Sequence, residues 1–330
     1  MRQTQAMPDH TRYWAIADEL FSLYGEGRYE ELLAAALAAM ERLPQRPATT
    51  AYWVACGRCL TGDPGAGLEV LARAVEAGCF WAPGDLLNEP DLAPARGLEG
   101  FQEVASASRR LHELAQAAAG PKLLSFGPEG AARGTLIALH GAEGPAEFAP
   151  FWAGAAGLGW AVAVPQSSQV QSSDGFGWLD GDVAAGEVAL AHAGLVEEHG
   201  GETADTVLAG FSQGGRWAVE WALAGAPFEC RGFIGVGPSL SGIAPAETSR
   251  LISTGAERRV RGYLIVGERD WVLEPVRELA QAWNSQGVAC ELEVVPGVGH
   301  SPPPDMDDRL GRALDFVAPS YRGWNEPYPG

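Results

Sequence analysis

Residues 206–215 read Thr-Val-Leu-Ala-Gly-Phe-Ser-Gln-Gly-Gly, and this stretch decides the fold. Thr206–Ala209 is a short apolar run, and from Gly214 to Ala224 apolar residues recur with a helical period. Between them, Gly210-Phe-Ser212-Gln-Gly214 matches G-x-S-x-G in the context that motif needs, after a strand and before a helix. The chain must turn from strand to helix within two residues. That turn forces a strained backbone on Ser212, and side chains at 210 or 214 would collide across it. The serine then stands at a helix N-terminus, where the dipole favours developing negative charge. The bland reading is a Ser/Gly-rich helix cap, and the strand before the motif argues against it.

Working outward, residues 120–330 alternate short apolar runs with helical stretches. The predicted strands are Thr135–Leu139, Trp160–Val164, Thr206–Ala209, Gly232–Val236, Tyr263–Val266 and Glu291–Val295. The predicted helices are Asp182–Glu198, Gly214–Ala224, Glu274–Gln286 and Asp308–Phe316. This alternation predicts an α/β fold, a doubly wound, mostly parallel sheet covered on both faces. Residues 1–119 follow a different period. Trp14–Tyr24, Tyr29–Leu43, Ala51–Leu60 and Leu68–Ala77 read as helices, with one more over Arg109–Ala119. Segment 79–100 is rich in Pro, Gly and Asp, and the seam falls at Gly120-Pro121. The two helical pairs are offset by about 36 residues, which marks an internal repeat. Trp53, Cys56, Gly57 and Leu60 fall at the W-x2-L-G-x2-Y spacing, and Ala17, Leu20, Phe21 and Tyr24 take those places in the first copy. This half resembles the tetratricopeptide repeat.

Composition removes other classes. The 42 acidic against 23 basic residues give a net charge of −19, of which −6 falls in residues 1–120 and −13 in 121–330. Such a chain repels phosphate backbones and anionic surfaces, so nucleic-acid partners are not expected. Lys122 is the single lysine, which excludes a P-loop and argues against a Schiff base. The first twelve residues hold no apolar h-region, and the longest apolar run, Leu32–Met40, is nine residues against about 20 for a membrane span. A soluble, cytoplasmic protein is expected. The odd count of five cysteines fits reduced thiols, and Cys56-Gly-Arg-Cys59 lies in a helical pattern, so core packing is expected rather than a metal site.

A serine hydroxyl needs a base, and the base needs an orienting acid. His300 is the one histidine after Ser212, in the loop Gly297-Val-Gly-His300 beyond the last predicted strand. Asp270 follows the strand Tyr263–Gly267 by three residues, and Glu268 is the alternative acid. His112, His192 and His199 are expected on polar helix faces, and His10 in the N-terminal tail. An oxyanion hole needs two backbone N–H groups. Gln213 supplies one, and Ala142, in the loop Leu139-His140-Gly141-Ala142, supplies the other. His140 then braces that loop.

With these residues in hand, residues 121–318 resemble an α/β-hydrolase, and more narrowly the phospholipase/carboxylesterase group of serine esterases. The resemblance rests on Leu139-His140-Gly141, Gly210–Gly215, Gly267-Glu-Arg-Asp270-Trp-Val-Leu273 and Gly299-His300. It implies carboxylic-ester hydrolysis by Ser212, Asp270 and His300, without cofactor or metal. The chain departs from the group at Ala142-Glu-Gly144 and at Trp178-Leu-Asp180, both in the substrate region. Phe176, Trp178, Trp271 and Val272 are the candidate walls of the substrate pocket, with core packing as the alternative for each. The same triad would serve a thioester, a lysophospholipid or an amide or peptide bond. A catalytically inert helical-repeat binding protein is the reading from a different class. The helical half is expected to act within the molecule or to form a homodimer, and a protein partner in its groove is the alternative.

Overall fold

In the computed structural model, which describes residues 9–199, 206–240, 243 and 245–319, the two periods become two layers of structure. The first eight residues, and with them most of the twelve-residue stretch read for an apolar h-region, lie outside the described residues. The helical half runs α1 (Asp9–Gly25), α2 (Tyr29–Arg42), α3 (Pro47–Leu60), α4 (Pro64–Glu76), α5 (Pro83–Asn88), a 3-10 turn Pro90–Leu92, α6 (Ala93–Arg96) and α7 (Phe101–Ala118). Proline at the first turn sets the start of α3, α4 and α5, because a missing N–H costs nothing there. Asp63 caps α4 by accepting the Ala66 N–H at 3.1 Å.

Consecutive helices from α1 to α4 pack each on the next. Segment 79–100 is not a plain loop. Its short helices bury Leu86, Leu92 and Ala95 against Leu71 and Phe101, which closes the open side of α3 and α4. The last helix begins at Phe101, eight residues ahead of the expected start at Arg109. Its buried positions include Ser108, whose hydroxyl accepts the Trp81 N–H at 3.0 Å, and a polar residue there blurs the apolar stripe.

The second half carries a seven-stranded sheet of β1 (Lys122–Phe126), β2 (Thr135–Leu139), β3 (Ala161–Gln166), β6 (Thr206–Phe211), β7 (Gly232–Val236), β8 (Arg261–Gly267) and β9 (Ala289–Val295). The spatial order is β1-β3-β2-β6-β7-β8-β9. Only β1 is antiparallel to its neighbour. A small hairpin, β4 (Val170–Ser172) and β5 (Gly175–Phe176), stands apart. Helices α8 (Gly154–Gly157), α9 (Gly181–His199), α10 (Ser212–Ala224), α11 (Pro245–Glu257), α12 (Leu273–Ser285) and α13 (Met306–Val317) complete the chain.

All six expected strands are present, and the α/β architecture is as predicted. The sheet is buried on both faces. Ile137, Leu208, Phe233 and Leu264 meet α9, α10 and α12, while Leu136, Val207, Ile234 and Ile265 meet α13 and Trp152. Burying one such side chain contributes about 1.5–3 kcal/mol, so the two faces together fix the strand register. β1, β4, β5, α8 and α11 were not expected from the sequence. β1 is an edge strand with three of its five residues exposed, and the hairpin strands are too short to show a period.

Chain order reverses between β2 and β6. In an open parallel sheet the crevice at that reversal, beyond the C-terminal strand ends, is where ligands bind. The helical half lies over this crevice. Arg46, itself buried, donates to the carbonyls of Glu143 (2.7 Å) and Asp174 (3.1 Å), and the Thr49 N–H donates to the Asp174 carboxylate at 2.7 Å. The Gln116 side chain donates to the Ser168 carbonyl (2.9 Å) and accepts from the Val170 N–H (2.9 Å).

Candidate active site

β6 ends at Phe211 and α10 begins at Ser212, so the helix starts two residues before the expected Gly214. Ser212 holds φ at +52°, a left-handed conformation that costs a non-glycine residue about 1–3 kcal/mol. The close crossing of strand and helix explains the flanking glycines. A Cβ on Gly214 would lie 2.4 Å from the His140 carbonyl oxygen and 2.7 Å from that of Leu139. A Cβ on Gly210 would lie 2.3 Å from the Gly214 carbonyl carbon. The strained turn is held from beyond β7, where the Ser239 N–H donates to the Ser212 carbonyl at 3.1 Å.

Ser212, His300 and Asp270 come together. His300 Nε2 lies 2.9 Å from Ser212 Oγ, and His300 Nδ1 lies 2.9 and 3.0 Å from the two Asp270 oxygens. With Nδ1–H donating to Asp270, Nε2 is left to accept the serine proton. Both partners are buried, and Asp270 also accepts the Val272 N–H at 3.0 Å. Glu268 points elsewhere and accepts the Gly297 N–H at 2.9 Å, so it takes no part in this chain. Three aromatic rings surround the His300 ring at centroid distances of 5.1 Å (Phe21), 5.1 Å (Phe211) and 5.5 Å (Trp271).

The loop after β2 is held through His140. The Ser167 N–H donates to His140 Nε2 at 3.2 Å, which leaves Nδ1–H to donate to the Gly141 carbonyl at 2.7 Å. A trans peptide is planar, so fixing that carbonyl turns the Ala142 N–H the opposite way. Ala142 lines the same cavity as Ser212 and His300. Trp178 ties this loop to the nucleophile turn. Its indole N–H donates to the His140 carbonyl at 2.9 Å, and its backbone N–H donates to the Gln213 side chain at 2.9 Å. The Gln213 backbone N–H lies in the first turn of α10, where amides have no intrahelical acceptor.

Burial pushes the His140 pKa down to about 4. Below pH 6.5 the unfolded chain takes up a proton that the folded protein refuses. Stability from this group is therefore complete above pH 6.5 and is lost as pH falls to 4, by about 3 kcal/mol. Glu143, raised to about 7 by burial, acts in the opposite sense, adding stability as pH falls from 7 towards 4.5. The two offset in the wild type. In His140→Gln the acid-side loss disappears, so urea unfolding at pH 5 and pH 7 should show stability relative to wild type rising towards acid. An unchanged difference between the two pH values contradicts the assignment.

The cavity beside Ser212, about 120 Å³, is walled mainly by α1, through Tyr13, Trp14, Leu20 and Phe21, and by Trp53 of α3. This wall was missed in the sequence. The available signal was the four aromatics Tyr13, Trp14, Phe21 and Tyr24 in one 17-residue helix, more than its own packing stripe uses. Of the four residues expected to wall the pocket, Trp271 lines a neighbouring cavity. Trp178 and Val272 are instead 1% and 2% exposed and belong to the core, and Phe176 pairs with Val170 in the small hairpin.

The other histidines differ in part from expectation. His192 is buried, 2.8 Å from the Thr206 hydroxyl and stacked on Phe228, rather than on a polar face. His112 reaches across to the Val170 carbonyl at 2.7 Å. His199 is partly buried beside Gly127 and Glu198, and the His10 side chain lies outside the described residues. Cys56 and Cys59 lie buried within α3 as free thiols. Among the described residues no cluster of three or more His, Cys, Asp or Glu could hold a metal ion, and no helix is long and apolar enough to cross a membrane.

No family model and no curated protein matches the chain. Solved structures do. The chain is similar to an uncharacterized protein from Bacillus cereus ATCC 10987, with a TM-score of 0.52 and 24% identity over 93% of this chain and 98% of that one. That likeness of fold spans both halves. Esterase PE8 gives a TM-score of 0.44 and 21% identity over 59% of this chain and 96% of that one. A carboxylesterase from Mesorhizobium loti gives 0.46 and 18% over 59% and 93%.

Proposed function

We propose that this chain is a serine hydrolase that cleaves small carboxylic esters through an acyl-enzyme on Ser212. One observation carries the reading: an unbroken relay from Ser212 Oγ through His300 to the buried Asp270, each link 2.9 Å. His300 takes the serine proton as Oγ attacks the carbonyl, and Asp270 stabilises the imidazolium that forms. The Ala142 and Gln213 amides hold the oxyanion. His300 protonates the leaving alcohol, then activates the water that frees the acid. The mechanism calls for no cofactor. The direct test is release of p-nitrophenol from its acetate by wild type and by Ser212→Ala. A panel of ester, thioester, lysophospholipid and amide substrates then orders the acyl groups, since the same relay serves each.

We read residues 1–119 as a helical unit built on two degenerate tetratricopeptide-like hairpins, α1–α2 and α3–α4. Its place is within the molecule, as a wall of the acyl cavity in a cytoplasmic enzyme. Supporting this, Trp14 meets Phe211 edge-on at 4.9 Å, Phe21 stands edge-on to His300, and Asp18 pairs with Arg269 at 3.6 Å. Phe21→Ala removes the ring that covers His300 and should lower kcat/KM for short esters roughly tenfold, the scale of one lost aromatic contact. Unchanged kcat/KM with an intact melting curve would count against the helical half as a wall.

A further inference from the structure

A second cavity, about 710 Å³, adjoins the first and shares Phe21, Thr49, Trp53 and Glu143 with it. Its size is that of a small-molecule site. Its lining is unusual in kind. Six aromatic rings, among them Tyr24, Tyr52, Trp53 and Trp271, stand beside four carboxylates, Asp85, Glu89, Asp91 and Glu143. None of its described lining residues is Lys, Arg or His.

The carboxylates lean on neutral donors. The Tyr52 hydroxyl donates to Glu89 at 3.1 Å and the Ser172 hydroxyl to Glu143 at 2.6 Å, while Tyr24 bonds Asp91 and Gln171 bonds Asp85. The cations nearby also hold backbone. Arg46 holds the Glu143 and Asp174 carbonyls, and Arg96 holds the Glu89 carbonyl at 2.6 Å. Burial raises Asp85 to about 6, and raises Glu143 to about 7 even though the Arg46 charge acts against it. Four half-buried carboxylates grouped together cost stability that amides or leucines would not. A second feature also lacks its partner. Trp81 is 2% exposed and lines the cavity, and its indole N–H has no acceptor among the described residues.

We propose that this cavity is a subsite for an organic cation, an ammonium or guanidinium carried by the ester that Ser212 cleaves. The proposal rests on the serine-hydrolase reading. Aromatic faces attract organic cations, and carboxylates in a desolvated site strengthen that attraction. The shared wall of Phe21 and Trp53 lets one ligand span both cavities, its scissile carbonyl at Ser212 and its charge among the rings.

The test compares matched pairs. p-Nitrophenyl esters of trimethylammonioalkanoic acids of increasing length are set against the tert-butyl-ended carbon isosteres. Acetylthiocholine and its dimethylbutyl analogue probe the alcohol side. At the length that reaches the cavity, the cationic ester should be favoured roughly 10- to 100-fold in kcat/KM, and the E89Q/D91N protein should bring that ratio close to one. Equal or faster turnover of the neutral partner at every length, on both sides, overturns the proposal. A binding arm is independent of turnover. Benzyltrimethylammonium should saturably change the tryptophan fluorescence of the Ser212→Ala protein, and its uncharged isostere should not. Absence of that difference also overturns the subsite, whereas its presence together with no turnover of p-nitrophenyl acetate by wild type would sink the hydrolase reading alone.

Discussion

Ser212→Ala should lower kcat/KM for p-nitrophenyl acetate by about 10⁴-fold or more while leaving the melting curve in place. In the proposed mechanism the hydroxyl is the attacking atom, so its loss would remove the covalent route and leave only what the proposed oxyanion amides do for attack by water. His300→Ala should cost about as much, and the double variant little more, because the two act as one unit. Asp270→Asn should cost somewhat less, since it leaves the ring in place but favours the wrong tautomer. Additive losses in the double variant would mean that Ser212 and His300 act separately, against the 2.9 Å contact between them.

Gly214→Val is the second large effect, and it acts through geometry alone. The Cβ would fall 2.4 Å from the His140 carbonyl oxygen, which is backbone and cannot swing aside. Overpacking of this kind costs about 1–3 kcal/mol or more. Relief requires either that α10 move away from β2 or that the loop carrying Ala142 shift. Each displaces an element next to Ser212, and about 1 Å there is worth about 100-fold in rate. The expected result is a lowered melting temperature together with a fall in kcat of about 100-fold or more. A stable Gly214→Val protein with wild-type kcat would mean that the strand-to-helix crossing is not as tight as the structure has it.

The gathering of Ser212, Asp270 and His300 was legible because each piece is local. The G-x-S-x-G turn has one backbone solution, a single histidine follows it, and Asp270 lies on the loop just past a strand end. The sheet was legible for the same reason, since two-sided burial leaves continuous apolar runs. What escaped was set by tertiary packing. The wall of the catalytic cavity comes from α1, about 190 residues before the serine, and its aromatics read as an ordinary core stripe. Trp178 lies near the site but serves it from inside the core, tying His140 to Gln213. β1 escaped because an edge strand carries no unbroken apolar run. The acidic composition changes meaning as well. Most of the −19 is solvated surface, but Asp85, Glu89, Asp91 and Glu143 line one cavity.

The most direct measurement is a fluorophosphonate reaction read by intact mass and peptide mapping. Phosphorus attack requires a serine oxygen whose proton is already being drawn away and an oxyanion that is held, so labelling reports the whole relay at once. The account predicts one adduct per chain, on Ser212, absent from Ser212→Ala and strongly slowed in His300→Ala. No adduct on the wild type, or an adduct on another serine that persists in Ser212→Ala, would contradict it.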